Sequence, residues 1–325
     1  GNDNIALGQC ALRCHDTNGG NNFAAGYSAL RESEGSHNQV IGHTASFCNT
    51  TGCYNTSLGY QAGKCNTTGC HNVSIGQCAG IANETSSDNI SIGQLSQCCG
   101  KGAANIAIGR KVRFHDDLVG NSFNVAIGDC AMMGATDMGT SEGNIAIGRG
   151  AGFAHSGGLA NIYLGCYVGT CNHSGSTNFL AQRKAGYFNE TGSDNVMIGD
   201  CAGYCGDNQN CNIFIGKYAG YHNHGDDNIL IGRKAGCNIS TGIRNIVLGP
   251  VGNCISTGSC NIAIGGINNM SLNNQTGNNN LSMGAFTGRR LTSGSGNTFL
   301  GGSAGRYVTS GAVNTGGVIQ FYGHD

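Results

Sequence analysis

Eighteen cysteines give this 325-residue chain most of its capacity for chemistry. A thiol can ligate a metal, attack a substrate or pair with another thiol. Zinc modules set CxxC against a second CxxC or a pair of histidines, and the chain contains no CxxC. Its short spacings are C-x4-C (Cys48/Cys53, Cys65/Cys70, Cys166/Cys171) and C-x3-C (Cys10/Cys14, Cys201/Cys205). A nucleophile is a lone thiol beside a placed base, whereas these cysteines recur periodically. Pairing in an oxidising compartment is the remaining reading. His222 and His224, close to Asp226 and Asp227 in "YHNHGDD", could hold a metal loosely but read better as a polar turn. There is no H-E-x-x-H, G-x-S-x-G or P-loop. "GRGAGFAHSGG" (148–158) lacks phosphate-loop spacing. No catalytic, cofactor-binding or metal-binding residue is assigned, and the chain is expected not to be an enzyme.

The composition narrows the partners. Only 11% of residues are charged and the net charge is −1. No basic surface is available for nucleic acid or anionic lipid. No apolar run approaches the roughly 20 residues of a membrane span. The chain opens at Gly1 without a signal peptide, which reads as a processed or partial chain. Fifty-eight glycines would suggest disorder, but the 39% of hydrophobic residues fall at regular places.

That regularity is the main signal. "CNTTGC" occurs at 48–53 and again at 65–70, each time followed by an Asn, a short apolar stretch and a Gly. Such an Asn recurs as Asn4, Asn22, Asn38, Asn55, Asn72, Asn89, Asn105, Asn124, Asn144, Asn161, Asn178, Asn195, Asn212, Asn228, Asn245, Asn261, Asn280, Asn297 and Asn314. Most intervals are 16 or 17 residues. With each Asn as position zero, positions one and three are mostly apolar and position four is Gly except at Gln182 and Val318. Position seven is usually Ala and position eight often Gly. Apolar residues two apart, closed by Gly, predict a short strand. Identical residues in register predict stacked coils. The expected fold is an all-β solenoid of about nineteen 17-residue coils over residues 1–317, with a cap or tail at 318–325. At about 4.8 Å per coil the rod is roughly 90 Å long. The anchor asparagines are expected to form a ladder, with Ile5, Leu7, Ile75, Ile108, Ile147, Ile215 and Ile264 pointing inward.

"NTSLGYQAGKCNTTGCHNVSIG" resembles the "NTALGYQAL…NTTG…NTAIG" repeats of tail-fibre proteins of phages and large viruses. It is similar, more distantly, to the β-roll heads of trimeric autotransporter adhesins. The resemblance covers nearly the whole chain and implies a rigid, often trimeric, surface-exposed fibre. The cysteines depart from the bacterial pattern.

Phase sorts the remaining candidates. Cys48 and Cys65 share one phase, Cys53 and Cys70 another. A bond within each turn and a staple between coils both remain open, because adjacent coils lie within disulfide reach. Cys254 and Cys260 favour the former, Cys237 and Cys254 the latter. Sequons at position eleven (Asn49, Asn66, Asn83, Asn172, Asn189), with Asn238 one place earlier, are the glycosylation candidates. Position two is large and apolar in the middle coils: Tyr163, Leu180, Met197, Phe214, Leu230 and Val247. If positions one and three face inward, this stripe faces outward and predicts self-association as a trimer or filament. The alternative is a coil that covers the stripe within one chain. The expected function is a structural subunit of an extracellular or virion-surface fibre. The alternatives are an adhesin recognising host glycans, with its site in the long intervals 105–144 or 261–280, and an ice-binding solenoid, which the lack of a T-x-T array disfavours.

Overall fold

The computed structural model describes residues 3–13, 19–97, 102–112, 121–134, 140–250, 257–265, 276–311 and 318–319. They fall into two compact units, 1–164 and 165–325. Each is a parallel β-solenoid, and no helix occurs among the described residues. Each coil from Asn4 to Asn297 contributes a three-residue strand at positions one to three, such as Thr56–Leu58, Val73–Ile75 and Ile90–Ile92. Consecutive strands pair in parallel without slippage, Thr56↔Val73↔Ile90. Val318–Ile319 adds a short parallel strand against Thr298–Leu300. The rest of the expected tail lies outside the described residues.

The faces are the reverse of the expectation. Ile5 and Leu7 are more than half exposed, Ile147 and Ile215 are exposed, and Ile75, Ile108 and Ile264 are half-buried. Position two fills the interior instead: Tyr163, Leu180, Met197, Phe214 and Leu230 are fully buried and Val247 nearly so. These six residues are core, not an intersubunit stripe. The physical reason is parity. In a strand, positions zero and two share a face, and the buried group at position zero is the Asn.

The ladder explains why that Asn must face inward. Its side-chain oxygen accepts the backbone N–H of the Asn one coil on: Asn38 N–H to Asn22 Oδ1 at 2.8 Å, Asn55 to Asn38 at 2.9 Å, Asn72 to Asn55 at 2.9 Å. Its Nδ2 donates across the coil to a backbone carbonyl fourteen residues on, as Asn38 to Gly52 O at 2.9 Å and Asn55 to Gly69 O at 2.8 Å. Each side chain thus ties the strand to the far wall and to the next coil, satisfying backbone groups that water cannot reach. The expected side-chain-to-side-chain link also occurs, Asn38 Nδ2 to Asn22 Oδ1 at 3.1 Å. Asn38→Ala leaves the Asn55 N–H without its acceptor, while the Gly52 carbonyl keeps only the Asn49 amide. Chemical denaturation should show a loss of about 2–3 kcal/mol.

Glycine at position four is a contact requirement. At Gly42, φ is 146°, and an added Cβ would lie 2.1 Å from the Gly59 carbonyl oxygen of the next coil.

Positions two and eight share the remaining interior space. In the coils of Leu180, Met197, Phe214 and Leu230, position eight is Gly, and a Cβ on Gly220 would sit 2.7 Å from the Phe214 ring. In two coils where position two is Ala, position eight is large: Ala24 is paired with buried Leu30, and Ala126 with Met132. In the coils of Ser57 and Ser74 both positions are small, with Gly63 and Gly80 at position eight. Asn66 and Asn83 complete the walls of a space of about 10 Å³ there, the size of one water, and their Oδ1 atoms have no partner within the chain.

Candidate functional site

Each letter of "CNTTGC" has a place in the coil. Cys48 is half-buried. Asn49 turns inward and donates to Gly52 O at 2.9 Å and to Ser33 Oγ at 3.0 Å. Thr50 donates to Thr67 O of the next coil at 3.0 Å. Gly52 O receives both Asn38 and Asn49. Cys53 Sγ accepts the Ser36 N–H at 3.3 Å, and Cys70 Sγ accepts the Cys53 N–H at 3.1 Å. One coil further, Ser87 Oγ accepts the Cys70 N–H at 3.0 Å. The second cysteine of the motif therefore occupies a column that serine fills elsewhere.

Cys10, Cys48, Cys53, Cys65, Cys70, Cys171, Cys201, Cys205 and Cys260 stand as free thiols, and Cys166 and Cys237 are half-buried. Cys14 and Cys254 lie outside the described residues. Burial pushes the Cys48 thiol above its ordinary pKa, with the neighbouring Cys65 adding to it. Burial likewise raises Cys171, Cys201 and Cys205. These shifts favour the protonated thiol over the nucleophilic thiolate.

Five of the six glycosylation candidates are interior. Asn49, Asn66, Asn83, Asn172 and Asn189 are at most 4% exposed, so a folded coil has no space for a sugar on them. Asn at position eleven repeats the inward role of the anchor: Asn66 and Asn189 donate to Gly69 O and Gly192 O at 2.9 and 3.0 Å. Asn238 is exposed, because buried Ile239 takes position eleven in its coil.

His222 and His224 are both exposed. No group of three His, Cys, Asp or Glu residues is placed to hold a metal among the described residues. A different histidine is interior. His155 is 4% exposed, with Nε2 3.0 Å from Ser141 Oγ and Nδ1 3.4 Å from the Tyr163 hydroxyl. Asn144 Nδ2 also donates to that serine oxygen at 3.0 Å. The trio closes a polar gap in the core. Its components lie 14 and 8 residues apart, and only the stacking of coils brings them together. Much of the two long intervals proposed for a receptor site (113–120, 135–139 and 266–275) lies outside the described residues.

The exterior carries columns with the period of the coil. Tyr27, His43 and Tyr60 stack with centroids 5.0 and 5.5 Å apart, and His37, Tyr54 and His71 at 4.7 and 5.1 Å. Tyr187, Tyr204 and Tyr221 stack at 5.2 and 5.1 Å. Position five brings opposite charges together on some adjacent coils. Arg110 is bidentate to Asp129 with both contacts at 3.0 Å, and Arg183 to Asp200 at 2.8 and 3.0 Å, with Lys217 3.5 Å beyond. Hydrogen bonding from Arg183 holds the Asp200 carboxyl below its ordinary pKa, against the opposing effect of burial. A depressed folded pKa means this stabilisation is present above the unfolded value, about 3.9, and is lost as pH falls through the folded one. The Tm difference between the protein and Asp200→Asn should therefore be small, as for any exposed pair, and should shrink in a melting series as pH falls below the unfolded value, about 3.9.

No known protein family matches the chain, and neither do any curated protein or solved structure. No helix among the described residues is long and apolar enough to cross a membrane.

Proposed function

We propose that the protein is a structural subunit of an extracellular or virion-surface fibre, and that copies associate through the outer face of the strand ladder. The observation that carries this reading is the aliphatic double column at positions one and three. Ile5, Leu7, Ile41, Leu58 and Ile147 in the first unit, and Ile215, Ile231 and Met283 in the second, are all more than a third exposed. Between them stand half-buried Val73, Ile75, Ile90, Ile92, Ile106 and Ile108, in register. Monomers usually leave no apolar patch larger than about 300–600 Å² bare, and a stable interface takes about 800 Å² from each partner, so a column running over many coils suits association. The column repeats in most coils, interrupted at position one by Gln39, Thr56 and Thr298, so a second copy meets a similar pattern along much of its length. A trimer around a common axis and a lateral filament both use this face. Its periodicity, with an interior packed by position-two side chains and the Asn ladder, supports a scaffold over a catalyst.

Sedimentation velocity and electron microscopy of the purified chain test the reading. A defined oligomer or a filament is the expected result. A monomer at micromolar concentration, with the aliphatic face exchanging freely with solvent, overturns it.

A further inference from the structure

The tyrosine ladder at position nine stops one coil short of covering its last ring. Tyr221 lies on Tyr204 with planes 5° apart. The next coil places Cys237 at this position, too small to cover the ring. The result is a surface notch of about 380 Å³ lined by Tyr218, Tyr221, His222, Lys234, Cys237 and Asn238. Its volume lies in the range of small-ligand sites, about 300–1,000 Å³. Tyr218 and His222 stand edge-on to Tyr221, at 70° and 85°. The ring is thus held on three sides, by one stacked and two edge contacts, and keeps one face toward the notch. An aromatic face ringed by an ammonium, an imidazole and an amide suits a pyranose. The C–H face of the sugar covers the ring, and its hydroxyls reach the polar rim.

A second, independent observation names the source of that sugar. Among the sequons whose asparagine is described, Asn238-Ile239-Ser240 has an exposed acceptor, whereas Asn49, Asn55, Asn66, Asn72, Asn83, Asn89, Asn172, Asn189 and Asn280 are buried; Asn269 and Asn274 lie outside the described residues. The exposed acceptor therefore lines the open aromatic notch. We propose that the notch is a pyranose site, filled by the first sugar of a glycan attached at Asn238. In the attachment, Asn238 Nδ2 forms a bond to the anomeric carbon of a lipid-linked oligosaccharide diphosphate. The bond from that carbon to the diphosphate oxygen breaks, the lipid diphosphate leaves, and Nδ2 gives up one proton. The covalent part rests on the secreted-fibre reading. The stacked tyrosines below hold Tyr221 in place before the sugar arrives, which lowers the ordering cost.

The experiment secretes the chain from a glycosylating host cell, so that the outcome does not depend on the native compartment or on assembly. Peptide mass mapping reads occupancy, and NMR reads the ring-current shift of the first sugar's N-acetyl and ring protons. The expected result is a glycan on Asn238 and on none of the nine buried asparagines. Its first sugar should be shifted upfield in the protein and unshifted in Tyr221→Ala, while Tyr187→Ala, two coils away, keeps the shift. A bare Asn238 overturns the proposal, as does an occupied Asn238 with the same shifts in Tyr221→Ala. N,N′-diacetylchitobiose added to Asn238→Gln separates a free glycan from a tethered one. Saturable shifts of the Tyr221 ring protons at micromolar sugar would mark a site for free glycan and overturn the tethered assignment. Shifts at millimolar sugar only are expected for a site that relies on its tether.

Discussion

Phe214→Ala should cost the second unit about 3–5 kcal/mol, and adding Gly220→Leu should return most of it. Phe214 is fully buried at position two, and its ring packs where a side chain at Gly220 would begin. Truncating it empties the centre of the coil, which the flanking Met197 and Leu230 cannot fill without leaving their own coils. Gly220→Leu alone should also destabilise, by about 1–3 kcal/mol, because its side chain runs into the ring. Together the two substitutions rebuild the arrangement of Ala24 with Leu30. The backbone allows the exchange. Gly220 has φ of 57°, and Leu30 holds a leucine at the same position with φ of 47°. A double-mutant cycle by chemical denaturation should show coupling of at least about 2 kcal/mol. Additive losses would mean that the two positions do not share one space.

The same pair of positions marks what the sequence disclosed and what it hid. Coil length, strand position, the Asn ladder and the Gly corner are all periodic, and periodicity survives in a single chain. The direction of the strand faces does not follow from hydrophobicity here. Ile and Val at positions one and three look like core, and Ala or Ser at position two looks like surface. The deciding clue was the anchor Asn. A side chain repeated at every coil forms a ladder, a ladder needs a dry interior, and parity then sends position two inward. The alternation of Tyr, Leu, Met and Phe at position two with Gly at position eight was a second clue, since surface residues have no reason to conserve summed volume. The sequons misled for a related reason. Asn at position eleven pairs with Gly three residues on, so the N-x-T pattern there records a turn and an inward amide. The Tyr221 notch needed coordinates. It depends on Cys237 replacing a tyrosine in a column whose members lie 17 residues apart, and on the shift of Asn238 by one place.

Ile215→Lys with Ile231→Lys should abolish self-association and leave the fold intact. The two residues are neighbours across one strand pair, in register, and both are exposed on the outer face. Their side chains reach water in the isolated chain, so lysine there costs little beyond strand propensity. In an assembly the same ammonium groups would be buried against aliphatic side chains without a counter-charge, and each such burial costs several kcal/mol. Two per subunit, repeated around a symmetric interface, are enough to move a micromolar assembly to monomer. Phe214→Lys with Leu230→Lys is the contrasting pair. It places the charges at position two, one residue away on the same strands, inside a core with no partner for them. That chain should lose its β-sheet signal in circular dichroism. The outer pair should keep the signal and the melting profile of a folded monomer while sedimenting at the monomer mass. If the outer pair sediments as the unsubstituted chain does, the aliphatic columns are not the interface. If the inner pair stays folded, the assignment of faces is wrong. The two variants differ only in the parity of the substituted positions, so between them they test whether the core and the contact surface lie on opposite sides of one three-residue strand.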